Sequence, residues 1–557
     1  MKIRRSLRKS ALIGIAVALG TTLLTPAVAG AGGRHGGHGG HGGHGPAPRP
    51  GADLNLSFLG RYESGIFDEA AAEITAYDPD SRRIFVVSAV AGTVDVLDIS
   101  DPSRPALAGR LPAPGANSVA IHDGLIAVAQ QAPAKTDPGT VAFFRASDLT
   151  KTAEVTVGAL PDALAFTPDG RRVVVANEGE PDSYCADGTD PEGSVSIITL
   201  TRHGRTGELK KARVRTAGFT AWNGREDALR AAGVRVYGPG ASAAQDLEPE
   251  YAAVSADSRT AYVTLQENNA VAVVDLRRAR VTAIRPLGLK DHSLTGNGLD
   301  ASDRDGAVNI TEQPVKGLYQ PDSIAAFTGP GPGRKGRQYL ITANEGDARE
   351  YDCYAEEERV RDLPLSPAAF PDAAALQADS ALGRLTVTTT SPADEQGRYT
   401  ELHALGGRSV SVLDSRGRLI WDSGDTLERL TAGQHPADFN ANNDENGSFE
   451  SRSDNKGPEP EGVVTGVVGG TPYAFVGLER ISGIVAFDLS DPAAPRVAGY
   501  VSSRDFTGDA EAGTAGDLGP EGLTFIPAAD SPTGRPMLAV GYEVSGTTAL
   551  YEIDETD

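Results

Sequence analysis

Residues 73–111, EITAYDPDSRRIFVVSAVAGTVDVLDISDPSRPALAGRL, match residues 461–501, EGVVTGVVGGTPYAFVGLERISGIVAFDLSDPAAPRVAGYV, along their whole length. Each copy carries four runs of β character. A first strand meets a Gly/Asp/Pro turn, a second strand follows, a third ends in Asp-Leu or Asp-Ile, and a fourth comes after Asp-Pro. Such a unit cannot bury its apolar face alone, so copies must stack. Four short antiparallel strands repeating at roughly 45 residues mark a β-propeller blade. Further units begin at Asn117, Pro161, Glu248, Pro321 and Pro520, which makes seven. The last unit stops after its third strand, and LSFLGRYES (56–64) resembles the fourth strands RVAGYVSS (496–503). The chain is therefore expected to be all-β, a seven-bladed propeller closed by an N-terminal strand that leaves no open edge. Six or eight blades are the alternatives.

Three insertions break the period. Residues 219–247 include a short helical pattern, GREDALRAAG, with Asn223 as its N-cap. Residues 285–320 form a loop-rich excursion, and residues 346–407 have helical character around Ala355–Arg361 and Pro367–Ala381. Insertions of this kind usually gather over one mouth of a propeller and shape a site there.

The flanks set the compartment. Lys2, Arg4, Arg5, Arg8 and Lys9 precede an apolar run from Ala11 to Leu24 and the small residues Ala27-Val28-Ala29, so residues 1–29 read as a secretory signal. The run is too short to span a membrane, and the C-terminus YEIDETD carries no apolar tail, so a released, extracellular protein is expected. Residues 30–52 are a Gly/His/Pro-rich tail with His35, His38, His41 and His44 at three-residue spacing. It is either a loose transition-metal site or a low-complexity spacer. The propeller domain then runs from 53 to 557. The formal charge is −23, and removing the leader's five basic residues takes it to −28, which argues against nucleic acid as a partner. The two cysteines, Cys185 and Cys353, are each eight or nine residues beyond the Asn of an ANEG motif and are expected to form a disulfide.

Aligning the units produces two columns of acids. Glu73, Ser118, Asp162, Glu250, Asp322, Glu461 and Glu521 stand at the start of the first strand. Gln131, Glu178, Glu267, Glu345, Glu479 and Glu543 stand at the end of the second. In a blade these two positions share one mouth, so up to eleven carboxylates would ring it. Carboxylates at this density need cations or raised pKa values, and hard oxygen donors suit Ca²⁺, or Mg²⁺ with retained waters. The alternative is that each acid caps a turn. Metal ligands are expected among Glu461, Glu521, Asp322, Glu250, Asp162, Glu178, Glu345 and Asp444.

Asp444 belongs to the densest acidic stretch, NNDENGSFESRSDNKGPEPEG (442–462), which also holds Arg452 and Lys456. With Arg480 these are the cations a phosphate would require. ASDRDGAVNITE (301–312) fits an EF-hand loop only in part, because Ala301 fills its first position. There is no G-x-S-x-G, H-E-x-x-H or metal-type Cys cluster, so the usual nucleophile motifs are absent, and the lack of C-x-x-C-H removes a c-type haem; no haem or nucleotide cofactor is expected.

ANEGEPDSY (176–184), ANEGDAREY (343–351), ASAAQDLEPEY (241–251), KDHSLTGNGLDASDRDG (290–306), FNANNDENGSFESRSDNKGPEPEG (439–462) and GPEGLTF (519–525) resemble the choice-of-anchor I family, itself related to mesenchyme-specific cell-surface glycoproteins. The resemblance covers nearly the whole chain after residue 53. It implies a secreted or surface propeller of the YVTN/WD40-like group with phytase-like or alkaline-phosphatase-type relatives. Three functions stay open. One is a Ca²⁺-dependent phosphomonoesterase using metal-activated water, another a non-catalytic module that binds surface glycans or proteins with structural metals, and the third a lactonase-type enzyme.

Overall fold

The computed structural model describes residues 51–203, 208–331 and 336–556. The expected leader and nearly all of the His-rich tail lie outside the described residues. Within the unit Pro48–Asp557, seven antiparallel sheets have four strands each. The first comprises Thr75–Asp78, Arg83–Ser88, Thr93–Asp98 and Ala106–Pro112, and the second runs from Ala116–His122 to Lys151–Ala159. The third spans Pro161–Phe166 to Leu209–Gly218, and the fourth Ala252–Val254 to Arg280–Pro286. The fifth combines Ile324–Gly329 and Arg337–Asn344 with Ser409–Asp414 and Leu419–Asp422, across the longest insertion. The sixth covers Pro460–Val468 to Arg496–Ser502. The seventh joins Pro520–Ile526, Met537–Tyr542 and Thr547–Thr556 to the N-terminal strand Asp53–Glu63. Each sheet's first strand packs against the first strand of the next, and the seventh's against the first's. This is a β-propeller.

Burial explains the sequence pattern. Second strands such as Arg83–Ser88 and Arg172–Asn177 are covered on both faces, so they read as continuous apolar runs. Fourth strands such as Leu209–Gly218 alternate, because one face meets solvent. Apolar clusters fill the gaps between neighbouring sheets. Val174 and Ile197 of the third, for example, pack with Val263 and Ala272 of the fourth. First strands approach closely near the axis. A Cβ on Gly462 would come within 2.0 Å of the Glu521 carbonyl oxygen, and one on Gly522 within 2.6 Å of that of Glu73. The Glu-Gly pairs 461–462 and 521–522 are thus required by packing.

The insertions differ from the sequence reading in detail. In 219–247 the longer helix is Glu226–Ala232, with Arg225 at its N-cap position and no side-chain cap, while the Asn223 side chain accepts from the Ala244 backbone at 2.9 Å. Residues 355–361 are not α-helical. Tyr354–Ala355 and Glu357–Arg359 are strands, followed by a 3-10 turn at Val360–Asp362. Tertiary pairing wins here, since Glu357–Arg359 joins Thr386–Thr388 in a five-stranded sheet built wholly from insertion residues. Within 367–381 only Ala373–Leu376 is α-helical. Among the described residues, no helix is long and apolar enough to cross a membrane.

Candidate functional site

The mouth is built by a bulge that recurs from sheet to sheet. Gly115, Leu160, Gln320, Glu459 and Gly519 all adopt positive φ, from 42° to 71°. In four of these sheets the carbonyl of that residue accepts the N–H of the residue leaving the second strand. Gln131 donates to Gly115, Glu178 to Leu160, Glu479 to Glu459 and Glu543 to Gly519, at 2.7 to 2.9 Å. In the same four, the register between first and second strands slips just beyond, between Ala116/Ser118, Pro161/Leu164, Pro460/Val463 and Pro520/Leu523. A bulge re-aims a side chain, and the first residues inside these are Asn117, Asp162, Glu461 and Glu521. The ring member of the second sheet is therefore Asn117, one residue before the expected Ser118. Asn117 donates to the Pro161 carbonyl at 3.0 Å, whereas Ser118 Oγ accepts from the Leu164 N–H at 3.3 Å.

Asp162, Asp322, Glu461 and Glu521 line one axial cavity of about 70 Å³, together with Asn117, Ser118 and Tyr251. Oε2 of Glu461 and Oε2 of Glu521 are buried there without a hydrogen-bond partner. Burial, reinforced by neighbouring carboxylates, pushes the carboxyls of Glu461, Glu521 and Asp322 well above the usual range. Asp162 rises to about 7 and Glu73 to about 8 for the same first cause.

Of the remaining expected ligands, Glu178, Glu250 and Glu345 fall into two off-axis groups. Glu178, Glu250 and Glu267 bring ligand oxygens within 4.8 Å of one another where the third and fourth sheets meet, and Glu345, Glu459 and Glu479 do so between the fifth and sixth. The second group is gripped by cations. Lys456 Nζ lies 2.7 Å from Glu345 and 3.2 Å from Glu459, Arg480 pairs with Glu459 and Glu479 at 3.0 and 3.1 Å, and Arg452 Nε donates to Glu459 at 2.9 Å. Burial alone would raise the Glu459 carboxyl, but Arg480, Lys456 and Arg452 hold it well below the usual range. The three cations expected to meet a phosphate thus bind one buried glutamate. Asp444 is exposed, accepts from Asn442 Nδ2 at 2.6 Å and takes no part in these groups. In the partial EF-hand loop, Asp303 binds Arg384 through both oxygens.

The longest insertion reaches over the third and fourth sheets. Cys353 is disulfide-bonded to Cys185, with Cα atoms 5.2 Å apart, and Tyr351 donates to Glu180 at 2.6 Å. Arg349, fully buried, binds Asp246 at 2.9 Å and Glu248 at 3.0 Å. His292 is also buried, paired with the Asn297 carbonyl at 2.6 Å and not part of the ring. A larger cavity of about 590 Å³ lies at the other end of the strands, between turns of the first three sheets, and shares no residue with the ring.

The Choice-of-anchor I domain model matches residues 73–492. The chain belongs to the choice-of-anchor I family. It is 31% identical over 194 residues to Gigasin-3a of Magallana gigas, covering 33% of this chain and 68% of that protein. It is 29% identical over 285 residues to the mesenchyme-specific cell surface glycoprotein of Strongylocentrotus purpuratus, covering 44% of this chain and 35% of that protein. Among solved structures it is similar to Kuenenia stuttgartiensis hydrazine synthase, with a TM-score of 0.44, 12% identity, 89% of this chain and 100% of that one. It is also similar to the WD40 domain of Toxoplasma gondii coronin, with a TM-score of 0.44, 9% identity, 92% of this chain and 89% of that one. At these scores the fold assignment rests on the sheets themselves.

Proposed function

We propose that this chain is an extracellular seven-bladed propeller, closed by its N-terminal strand, that binds a divalent cation at its acidic mouth and serves as a binding module. One observation carries this reading. Buried oxygens of Glu461 and Glu521 lack partners beside a small cavity that Asp162 and Asp322 also line. A hard cation held by these four residues would supply the positive charge that makes the ionised ring tolerable. Calcium is the first candidate, since oxygen-only sites with several carboxylates suit it, and magnesium the second. The secretory leader and the cell-surface name of one relative support an extracellular setting. Surface glycans or proteins are the partner classes that fit such a setting.

A Ca²⁺-dependent phosphomonoesterase is the second reading, favoured by the presence of Lys456, Arg452 and Arg480 beside the ring. A phosphate would have to displace Glu459 from all three. The test measures melting temperature in EDTA, then in millimolar Ca²⁺, for the wild type and for Glu461→Gln and Glu521→Gln. Chelation should lower the melt and Ca²⁺ restore it, because a ligand bound only by the folded state adds about 2.7 kcal/mol at a hundredfold excess over Kd. Each substitution should shrink the response. A melt indifferent to Ca²⁺ would sink the cation reading. Turnover of p-nitrophenyl phosphate is expected at background only, and turnover abolished by EDTA would reinstate the hydrolase.

A further inference from the structure

The fold gathers three carboxylates twice. Glu178 and Glu345 are each the first residue beyond a second strand, and Glu267 and Glu479 follow the second strands of the next sheets, but the third members differ: Glu459 corresponds to Glu248, which Arg349 binds, and Glu250 to Glu461. Between the fifth and sixth sheets, three carboxylates meet three cations, with the Lys456 ammonium seated between Glu345 and Glu459. Lys456 comes from the segment that runs into the sixth sheet, and the fourth sheet has no counterpart to it.

Between the third and fourth sheets the compensation is weaker, with Arg349 acting on Glu267 from a distance without pairing to it. Among the described residues, no lysine or arginine forms an ion pair with Glu178, Glu250 or Glu267. The cations nearby are already engaged, Arg349 with Asp246 and Glu248, Arg235 with Glu356, and Lys135 with Glu180. Glu250 and Glu267 are 7% and 2% exposed, and each keeps a buried Oε2 with no hydrogen-bond partner. Leaving a buried acceptor unmade is costly, and leaving a charge so is costlier.

We propose that Glu178, Glu250 and Glu267 form a second, off-axis site for one hard divalent cation of the calcium or magnesium class, and that Lys456 takes the place of such an ion among Glu345, Glu459 and Glu479. The three carboxylates supply the charge and oxygen donors such an ion requires, with water completing its shell. The inference rests on the cation-binding reading of the mouth, but it locates an ion away from the axial cavity.

Crystals of the wild-type protein soaked in terbium(III), a strongly scattering substitute for Ca²⁺, locate the ion without any mutation. Anomalous density is expected among Glu178, Glu250 and Glu267, and none among Glu345, Glu459 and Glu479. Calorimetric titration with CaCl₂ should show at least a tenfold weaker or absent class of site in Glu250→Gln and Glu267→Gln, and one additional ion in Lys456→Met. Density confined to the axial cavity would overturn this proposal while leaving the mouth reading intact. Density between Glu345 and Glu459 in the wild type would overturn it too, and the absence of any bound ion would overturn both readings.

Discussion

Arg349 has no exposed side-chain surface, and its guanidinium lies 4.5 Å over the Tyr237 ring while binding Asp246 and Glu248. Replacing it by methionine keeps much of the volume but strands two buried carboxylates, at a cost of about 3–5 kcal/mol. Arg349→Met should therefore lower the melting temperature sharply, and Arg349→Lys should recover only part, since one ammonium cannot reproduce the fork. A melt unchanged in Arg349→Met, followed by circular dichroism, would show that this network is not needed for stability. At this scale the acids were legible, because strand boundaries and the alternation of types can be read along one chain. Their partners were not. Lys456 and Glu345 are 111 residues apart, and nothing local in KGPEPEG says that its lysine is a counter-ion and not a ligand for phosphate. The slip from Ser118 to Asn117 has a similar origin, since a bulge shifts the register by one residue without changing the apolar pattern.

The N-terminal strand Asp53–Glu63 pairs with Thr547–Thr556 along nearly its full length, from Asp53 opposite Thr556 to Glu63 opposite Thr547. Leu54 and Leu56 are buried with Tyr473, Ile484 and Ile553, so the strand also seals the gap between the sixth and seventh sheets. Deleting residues 53–63 should expose the edge of Thr547–Thr556, lower the melting temperature and cause association through that edge. Leu56→Ala tests the packing alone, with an expected loss of about 2–5 kcal/mol. A deletion variant that melts like the wild type and stays monomeric by light scattering would show that the strand is dispensable. Among elements, strands were the readable class because each repeats against several copies of itself. The insertions have no copies to compare. Ala355–Arg361 has helical composition, yet Glu357–Arg359 is claimed by the sheet partner Thr386–Thr388. The helix Thr426–Gln434, which precedes the acidic stretch, has no such copy either.

Taken together, the ring and the two off-axis groups make a specific demand on pH. Burial raises Glu73 and Glu479 to about 8, Asp162 and Glu267 to about 7 and Glu543 to about 6, with neighbouring carboxylates adding to it and Arg480 opposing it at Glu479 and Glu543, Arg349 at Glu267. Unfolding returns them to the ordinary carboxylate range near 4. Between these limits the folded state binds more protons than the unfolded one, so without metal its stability falls as pH rises through the window. Glu459 has the opposite sign: held low by its three cations, it contributes stability above the ordinary carboxylate range that is lost on acidification. A cation competes with the protons of the ring, so its benefit should grow as they leave. Melting temperatures measured in EDTA from about pH 5.5 to 8.5 should therefore decline, and the gain on adding Ca²⁺ should be larger at the alkaline end. A flat profile in EDTA, with the same Ca²⁺ gain at both ends, would mean that the ring is ionised throughout and that its charges are relieved by some other means. A declining profile that Ca²⁺ leaves unchanged would mean that protons alone compensate the ring, and would remove the cation from the mouth.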